Sequence, residues 1–258
     1  MTITVKKNVP SGTIVLNRPE KRNALTRQML SDLSQSFTDL HGEKQVRAVI
    51  LIGNGPVFCA GMDLSEMQQT AGQPNAQQQW YEDSEQYRGL IEQMLQFPKP
   101  IIAAVNGPAL AGGAGLLLAS DIVLATPGAK FGLPEPKRGI VAGMVAPLLA
   151  FRTGGSVATH LLLRANIIEA TEAQRVGLYH EIVADELIWA HAHEIAKEIA
   201  ESAPEAIQLT KRMIYENIGE QVLTQLGGGA AASATARTTE AAAEGLAAFF
   251  EKRPPKWK

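Results

Sequence analysis

With 258 residues, 45% of them apolar and 19% charged, the chain has the composition of a globular protein that buries a substantial core. Its 24 basic and 26 acidic residues leave a net charge of −2, so no global positive field draws it to nucleic acid or an anionic membrane. One cysteine, Cys59, excludes an intrachain disulfide, and no run approaches the roughly 18 apolar residues of a membrane span. With no apolar signal core at the N-terminus, a cytoplasmic location is the expectation.

Short β-branched runs bounded by turn residues predict strands over 13–16, 47–52, 101–105, 121–125 and 179–183. Helical spacing of Met29, Leu30, Leu33 and Phe37 behind a cap-type Thr26 predicts a helix over 26–40. A stripe of Tyr87, Leu90, Ile91, Met94 and Leu95 predicts another over 77–96, stopped by Pro98 and Pro100, and the Gln-rich 68–79 stretch reads as a surface loop leading into it. Strands alternating with helices imply an α/β core. Strand signals end near residue 184, and helices are predicted over 185–201, 204–217 and 220–244. The expected organisation is a core over 1–195 and a helical region over 196–258.

Two glycine-lined turns stand out. In PVFCAGMDLSEM (56–67), a strand gives way to Ala60 and Gly61 before a helix-compatible stretch near Asp63. Small residues let backbone approach a ligand, so the N–H near Met62 is a candidate donor; an ordinary strand-to-helix turn capped by Asp63 is the competing reading. In 101–125, a strand runs through Asn106-Gly107-Pro108 into Ala111-Gly112-Gly113-Ala114-Gly115. Unpaired N–H groups converge at such a helix start and suit a developing oxyanion; tight helix packing explains the same small residues. No complete GxGxxG or P-loop is present, and Gly154-Gly155-Ser156 lacks the final glycine of a nucleophile elbow, so Ser156 reads as a helix cap. The five histidines form no ligand cluster, so no metal site is expected.

In order along the chain, NRPEKRNAL (17–25), RAVILIGNGPVFCAGMDLSEM (47–67), KPIIAAVNGPALAGGAGLLLASDIVLA (99–125), AKFGLPEPKRGI (129–140) and EGLAAFFEKR (244–253) resemble the crotonase, or enoyl-CoA hydratase/isomerase, family. The resemblance implies an α/β spiral of ββα repeats with a C-terminal helical trimerisation region, and assembly as a homotrimer or a hexamer of paired trimers. It implies an acyl-CoA substrate, with coenzyme A as part of the substrate and no separate cofactor. Met62 and Gly112 would donate their N–H groups to the thioester oxygen. Lys21, Arg22, Ala24, Ala60, Asp63 and Leu64 would line the coenzyme path, and Phe249 and Lys252 would approach it from the tail, often from a neighbouring subunit.

Family hydratases carry two catalytic glutamates. Here Glu135, in Phe131-Gly132-Leu133-Pro134-Glu135, matches one, while Gly115 stands at the position of the other. Two carboxyls divide the work of water addition, whereas one suffices to move a proton and with it a double bond. The expectation is therefore Glu135 as lone acid/base, its pKa raised by apolar Ile140, Val141 and Met144, with a lean to isomerisation over hydration. Lys137 and Arg138 read as interface charges, or alternatively as ligands of a substrate carboxylate. Glu66 and Glu82 are the carboxylates that a flexible second segment would swing inward.

Overall fold

The computed structural model describes residues 2–217 and 219–257. Strands β1 (Ile3–Asn8) and β2 (Ser11–Leu16) pair antiparallel, and helix α1 (Arg27–Gly42) follows, capped by the Thr26 hydroxyl, which accepts the Met29 N–H at 3.1 Å. Next come β3 (Ala48–Gly53), α2 (Leu64–Ala71), α3 (Ala76–Gln96), β4 (Ile101–Val105), β5 (Ala109–Leu110), α4 (Gly112–Leu118) and β6 (Ile122–Ala125). Then follow β7 (Lys130–Gly132), a 3₁₀ turn at Glu135–Arg138, α5 (Val145–Arg164), β8 (Ile167–Glu169), α6 (Ala170–Arg175) and β9 (Glu181–Ile182). Helices α7 (Ile188–Ala200), α8 (Pro204–Asn217), α9 (Glu220–Ala236) and α10 (Glu240–Phe250) end the described chain.

The main sheet has the order β1-β2-β3-β4-β6-β9, parallel except for the β1–β2 pair; β5, β7 and β8 form a smaller sheet. Its central strands are covered on both faces, which is why they read as unbroken apolar runs. Val49, Leu51, Ile101, Ala103 and Val105 join the large core with α1, α3 and α4, while Ala48, Ile50, Ile102, Ala104 and Leu124 face Ile188, Ala192 and Ala196 of α7. Helix α9 packs on α3, and α10 on the 3₁₀ turn. Among the described residues no helix is long and apolar enough to cross a membrane.

Four details differ from the sequence expectation. The helix predicted over 220–244 is two helices, because Thr239 starts α10 anew: its hydroxyl accepts the Ala242 N–H at 3.2 Å. Glycines 227–229 lie inside α9 without breaking it; a Cβ at Gly229 would sit 2.4 Å from the Gly143 carbonyl, so there the glycine serves close packing. Ser156 does not cap: it lies within α5, two residues past a kink at Gly154 (φ 77°, ψ 162°). The loop of 68–79 is shorter than expected, since α2 runs to Ala71 and α3 begins at Ala76.

Candidate active site

Two isolated bridges, Leu25 with Met62 and Cys59 with Ala109, lay three segments side by side. The Cys59–Ala109 register, carried three residues forward, sets Met62 beside Gly112. A Cβ on Gly112 would lie 3.7 Å from the Met62 nitrogen, and one on Gly61 would lie 3.2 Å from the Gly112 nitrogen. Only glycine fits at Gly61, which has φ 92° and would push any side chain to 2.7 Å from the Ala111 Cβ. Ala111 itself adopts φ 51°, ψ −126°, a strained conformation fixed by its N–H bond to the Gly132 carbonyl at 2.9 Å. The result is two converging donors: among the described residues neither the Met62 nor the Gly112 N–H has a protein acceptor.

The Arg18–Leu25 segment is clamped to this turn by Asn23. Its amide nitrogen donates to the carbonyls of Asn54 (3.0 Å), Val57 (2.8 Å) and Phe58 (3.2 Å), and its oxygen accepts the Arg18 N–H at 2.8 Å. Asn23 is fully buried at φ 53°, a left-handed conformation that asparagine tolerates. Asn23→Ala takes the donor from the buried Phe58 carbonyl and from the less buried carbonyls of Val57 and Asn54, so an expected loss of about 1–3 kcal/mol should lower the denaturant midpoint.

A cavity of about 370 Å³ opens in front of the two donors. Of the residues named from the sequence, Glu135, Met62, Gly112, Lys21, Arg22, Ala24, Ala60, Asp63, Leu64 and Phe249 all line it. Lys252 does not: it lies exposed in the turn after α10, with φ 54°, its N–H bonded to the Phe249 carbonyl at 3.3 Å. The Asp63 carboxylate is committed on both sides, capping α2 through the Ser65 N–H (2.9 Å) and pairing with Arg18 (3.1 Å). Neither Glu66 nor Glu82 lines the cavity: Glu66 accepts the Arg27 N–H at 3.0 Å at the start of α1, and Glu82 accepts Gln78 at 2.9 Å. Lys137 also stays outside. Arg138 forms part of the wall, its guanidinium 4.4 Å from the Phe249 ring centroid. Burial and the nearby Arg22 charge hold Arg138 below its ordinary pKa.

Glu135 begins the 3₁₀ turn, wedged behind Pro134, and is 7% exposed. Its Oε2 is buried without a hydrogen-bond partner among the described residues. Burial raises its pKa to about 7, with a backbone hydrogen bond opposing the shift in part. A carboxyl balanced between its two states near neutrality can both accept and return a proton. Cys59 is pushed up to about 12 by complete burial and donates its thiol hydrogen to the Asn23 carbonyl at 3.1 Å, so it is a packed thiol and no nucleophile.

The structure explains why position 115 is glycine. A Cβ there would lie 2.0 Å from the Tyr87 hydroxyl oxygen, 3.2 Å from Tyr87 Cζ and 3.3 Å from Val145 Cγ2. The Tyr87 phenol fills that space, donates to the Gly112 carbonyl at 2.6 Å and lines the cavity. Burial, with Cys59 and Glu135 nearby, keeps it neutral. The sequence marks Tyr87 only as one member of an apolar stripe. Arg237 and Ser233 of the α9 end also line the cavity, and nothing local in an alanine-rich helix signals that.

A family model described as enoyl-CoA hydratase/isomerase matches residues 7–258. The chain is 33% identical to the mitochondrial methylglutaconyl-CoA hydratase of Mus musculus, covering 96% of this chain and 80% of that protein. It is 32% identical to the 2,3-dehydroadipyl-CoA hydratase of Escherichia coli K12, covering 95% and 94%. Among solved structures, an enoyl-CoA hydratase/isomerase from Pseudoalteromonas atlantica T6c superposes with a TM-score of 0.87 at 31% identity, covering 100% of both chains.

Proposed function

From the fact that this chain belongs to the enoyl-CoA hydratase/isomerase family, we propose that it is an acyl-CoA enzyme in which Glu135 is the lone acid/base and double-bond isomerisation is the reaction. The observation that carries this reading is the unpartnered, buried Oε2 of Glu135, with a pKa raised to about 7, on the same cavity as two unpaired backbone donors. The thioester oxygen of a 3-enoyl-CoA accepts from Met62 and Gly112. Glu135 takes a proton from C2, the electron pair moves into a dienolate held by the two N–H groups, and Glu135 returns the proton at C4. The conjugated 2-enoyl-CoA leaves. The cycle balances without water, metal or redox cofactor, and the donors act where charge develops.

Lys21, Arg22 and Arg138 put positive charge on the cavity wall, suited to the phosphates of coenzyme A. Ala24, Ala60, Asp63, Leu64 and Phe249 border the path of the pantetheine arm and adenine. In the proposed homotrimer, or hexamer of paired trimers, Lys252 reaches the coenzyme of a neighbouring subunit.

Hydration is the second reading, favoured by the hydratase names of both relatives. In it Glu135 alone must deprotonate water and protonate the α-carbon. Crotonyl-CoA and 3-hexenoyl-CoA, supplied separately and followed by chromatography and mass, separate the two. Conversion of 3-hexenoyl-CoA to its 2-isomer without a gain of water is the expected result. Rapid hydration of crotonyl-CoA that survives Glu135→Gln would overturn it.

A further inference from the structure

The cavity wall formed by α9 carries a charge that proton relocation does not use. Arg237 lines the cavity, yet its side chain is only 9% exposed. Among the described residues it makes no hydrogen bond; its nearest carboxylate is Asp83, at 3.9 Å, beyond hydrogen-bonding distance. Asp83 is already occupied. Its Oδ1 accepts Arg27 Nε (2.6 Å) and Gln79 Nε2 (2.9 Å), and its Oδ2 accepts Arg27 Nη2 (2.8 Å). Arg27 also donates to the Thr70 hydroxyl at 2.6 Å. Asp83 thus stands between two guanidinium groups and hydrogen-bonds only that of Arg27, on whose side Glu66 and Glu82 add further negative charge; among the described residues the Arg237 charge has no hydrogen-bonded carboxylate. Asp83 is not part of the cavity lining and Arg237 is, so that charge meets the cavity.

One helical turn before Arg237, Ser233 lines the same wall. It is 6% exposed, and its hydroxyl has no hydrogen-bond partner among the described residues. Idle guanidinium donors beside an idle hydroxyl on a cavity wall are groups that an anion entering the cavity completes. The planar guanidinium fork matches a carboxylate.

We propose that Ser233 and Arg237 form a carboxylate subsite, so that the acyl group taken by this chain carries a carboxylate remote from the thioester. The assignment rests on the acyl-CoA reading above. It makes the substrate class a dicarboxylic acid mono-thioester, with the thioester at the Met62 and Gly112 donors and the free carboxylate at α9.

Calorimetric binding to the full chain tests it without requiring turnover. The probes are succinyl-, glutaryl- and adipoyl-CoA, each against the unsubstituted acyl-CoA of the same carbon number. At one length or more, the dicarboxylic ester is expected to bind roughly tenfold tighter or better. Arg237→Met should cancel that preference, the dicarboxylic ester binding no tighter than the neutral one to the same variant, and Ser233→Ala should reduce it several-fold. Equal or tighter binding of the neutral ester at every length in the unaltered protein overturns the subsite alone, whatever the variants do. Retention of the preference in a folded Arg237→Met protein does the same. Failure of every CoA ester to bind overturns the acyl-CoA reading as well.

Discussion

Glu135→Gln is expected to lower turnover about 10²–10⁴-fold and, at pH 8, to make the protein more stable. The two effects have one cause. In the unfolded chain the carboxyl titrates near its ordinary 4.5, while in the fold burial moves it to about 7. Between those values the folded state holds a proton that the unfolded state has released. Stability from this group is therefore full below pH 4.5 and falls as pH rises through 7, by about 3 kcal/mol. Glutamine carries no charge to bury and escapes that loss. Denaturant midpoints at pH 4.5 and pH 8 should coincide at the lower pH and favour the variant at the higher one. In the unaltered enzyme, kcat/KM should rise with pH through about 7, as the base becomes ionised. A variant that keeps its activity, or is less stable at pH 8, contradicts the assignment. CoA-ester binding should survive the change, because both oxyanion donors belong to the backbone.

Gly115→Glu is expected to unfold or badly destabilise the protein, not to supply a second catalytic carboxylate. Any side chain at that position meets the Tyr87 hydroxyl at 2.0 Å, and Tyr87 is buried and tied to Gly112. Relief requires Tyr87 to leave the seam between α3 and α4. A second carboxylate would then be buried near one that already resists ionising. A loss of about 3 kcal/mol or more follows, read from the denaturant midpoint. Gly115→Ala isolates the steric part. Tyr87→Phe in the same chain removes the clashing oxygen and leaves the nearest ring atom at 3.2 Å, so the double variant should recover much of that steric loss. A Gly115→Glu protein that folds normally and hydrates crotonyl-CoA faster would show that Tyr87 yields easily and that position 115 alone sets the reaction.

Much of the framework is legible in the chain. β3 and β4 announce themselves because both their faces are covered and every residue is apolar. Gly61 and Gly112 mark the places where two backbones meet, and Pro134-Glu135 marks the turn that carries the carboxyl. β1 is silent because it lies at a sheet edge: only Ile3 is buried, while Lys6 and Lys7 face outward. β5, β7 and β8 span two or three residues each, too few for a period to register.

The sequence by itself determined the α/β core, the two glycine-lined turns and the single carboxyl, because each depends on local chemistry: apolar runs, glycine where a side chain cannot fit, a proline-bounded turn. Tertiary structure alone decided what surrounds that carboxyl. Tyr87 fills the space beside Gly115 from a helix 28 residues away, and Arg237 enters the cavity from a helix more than a hundred residues beyond Glu135. Glu135 loses its solvent because distant elements pack over it. Desolvation and steric exclusion are properties of the packed assembly of elements, and no local pattern of residues encodes them.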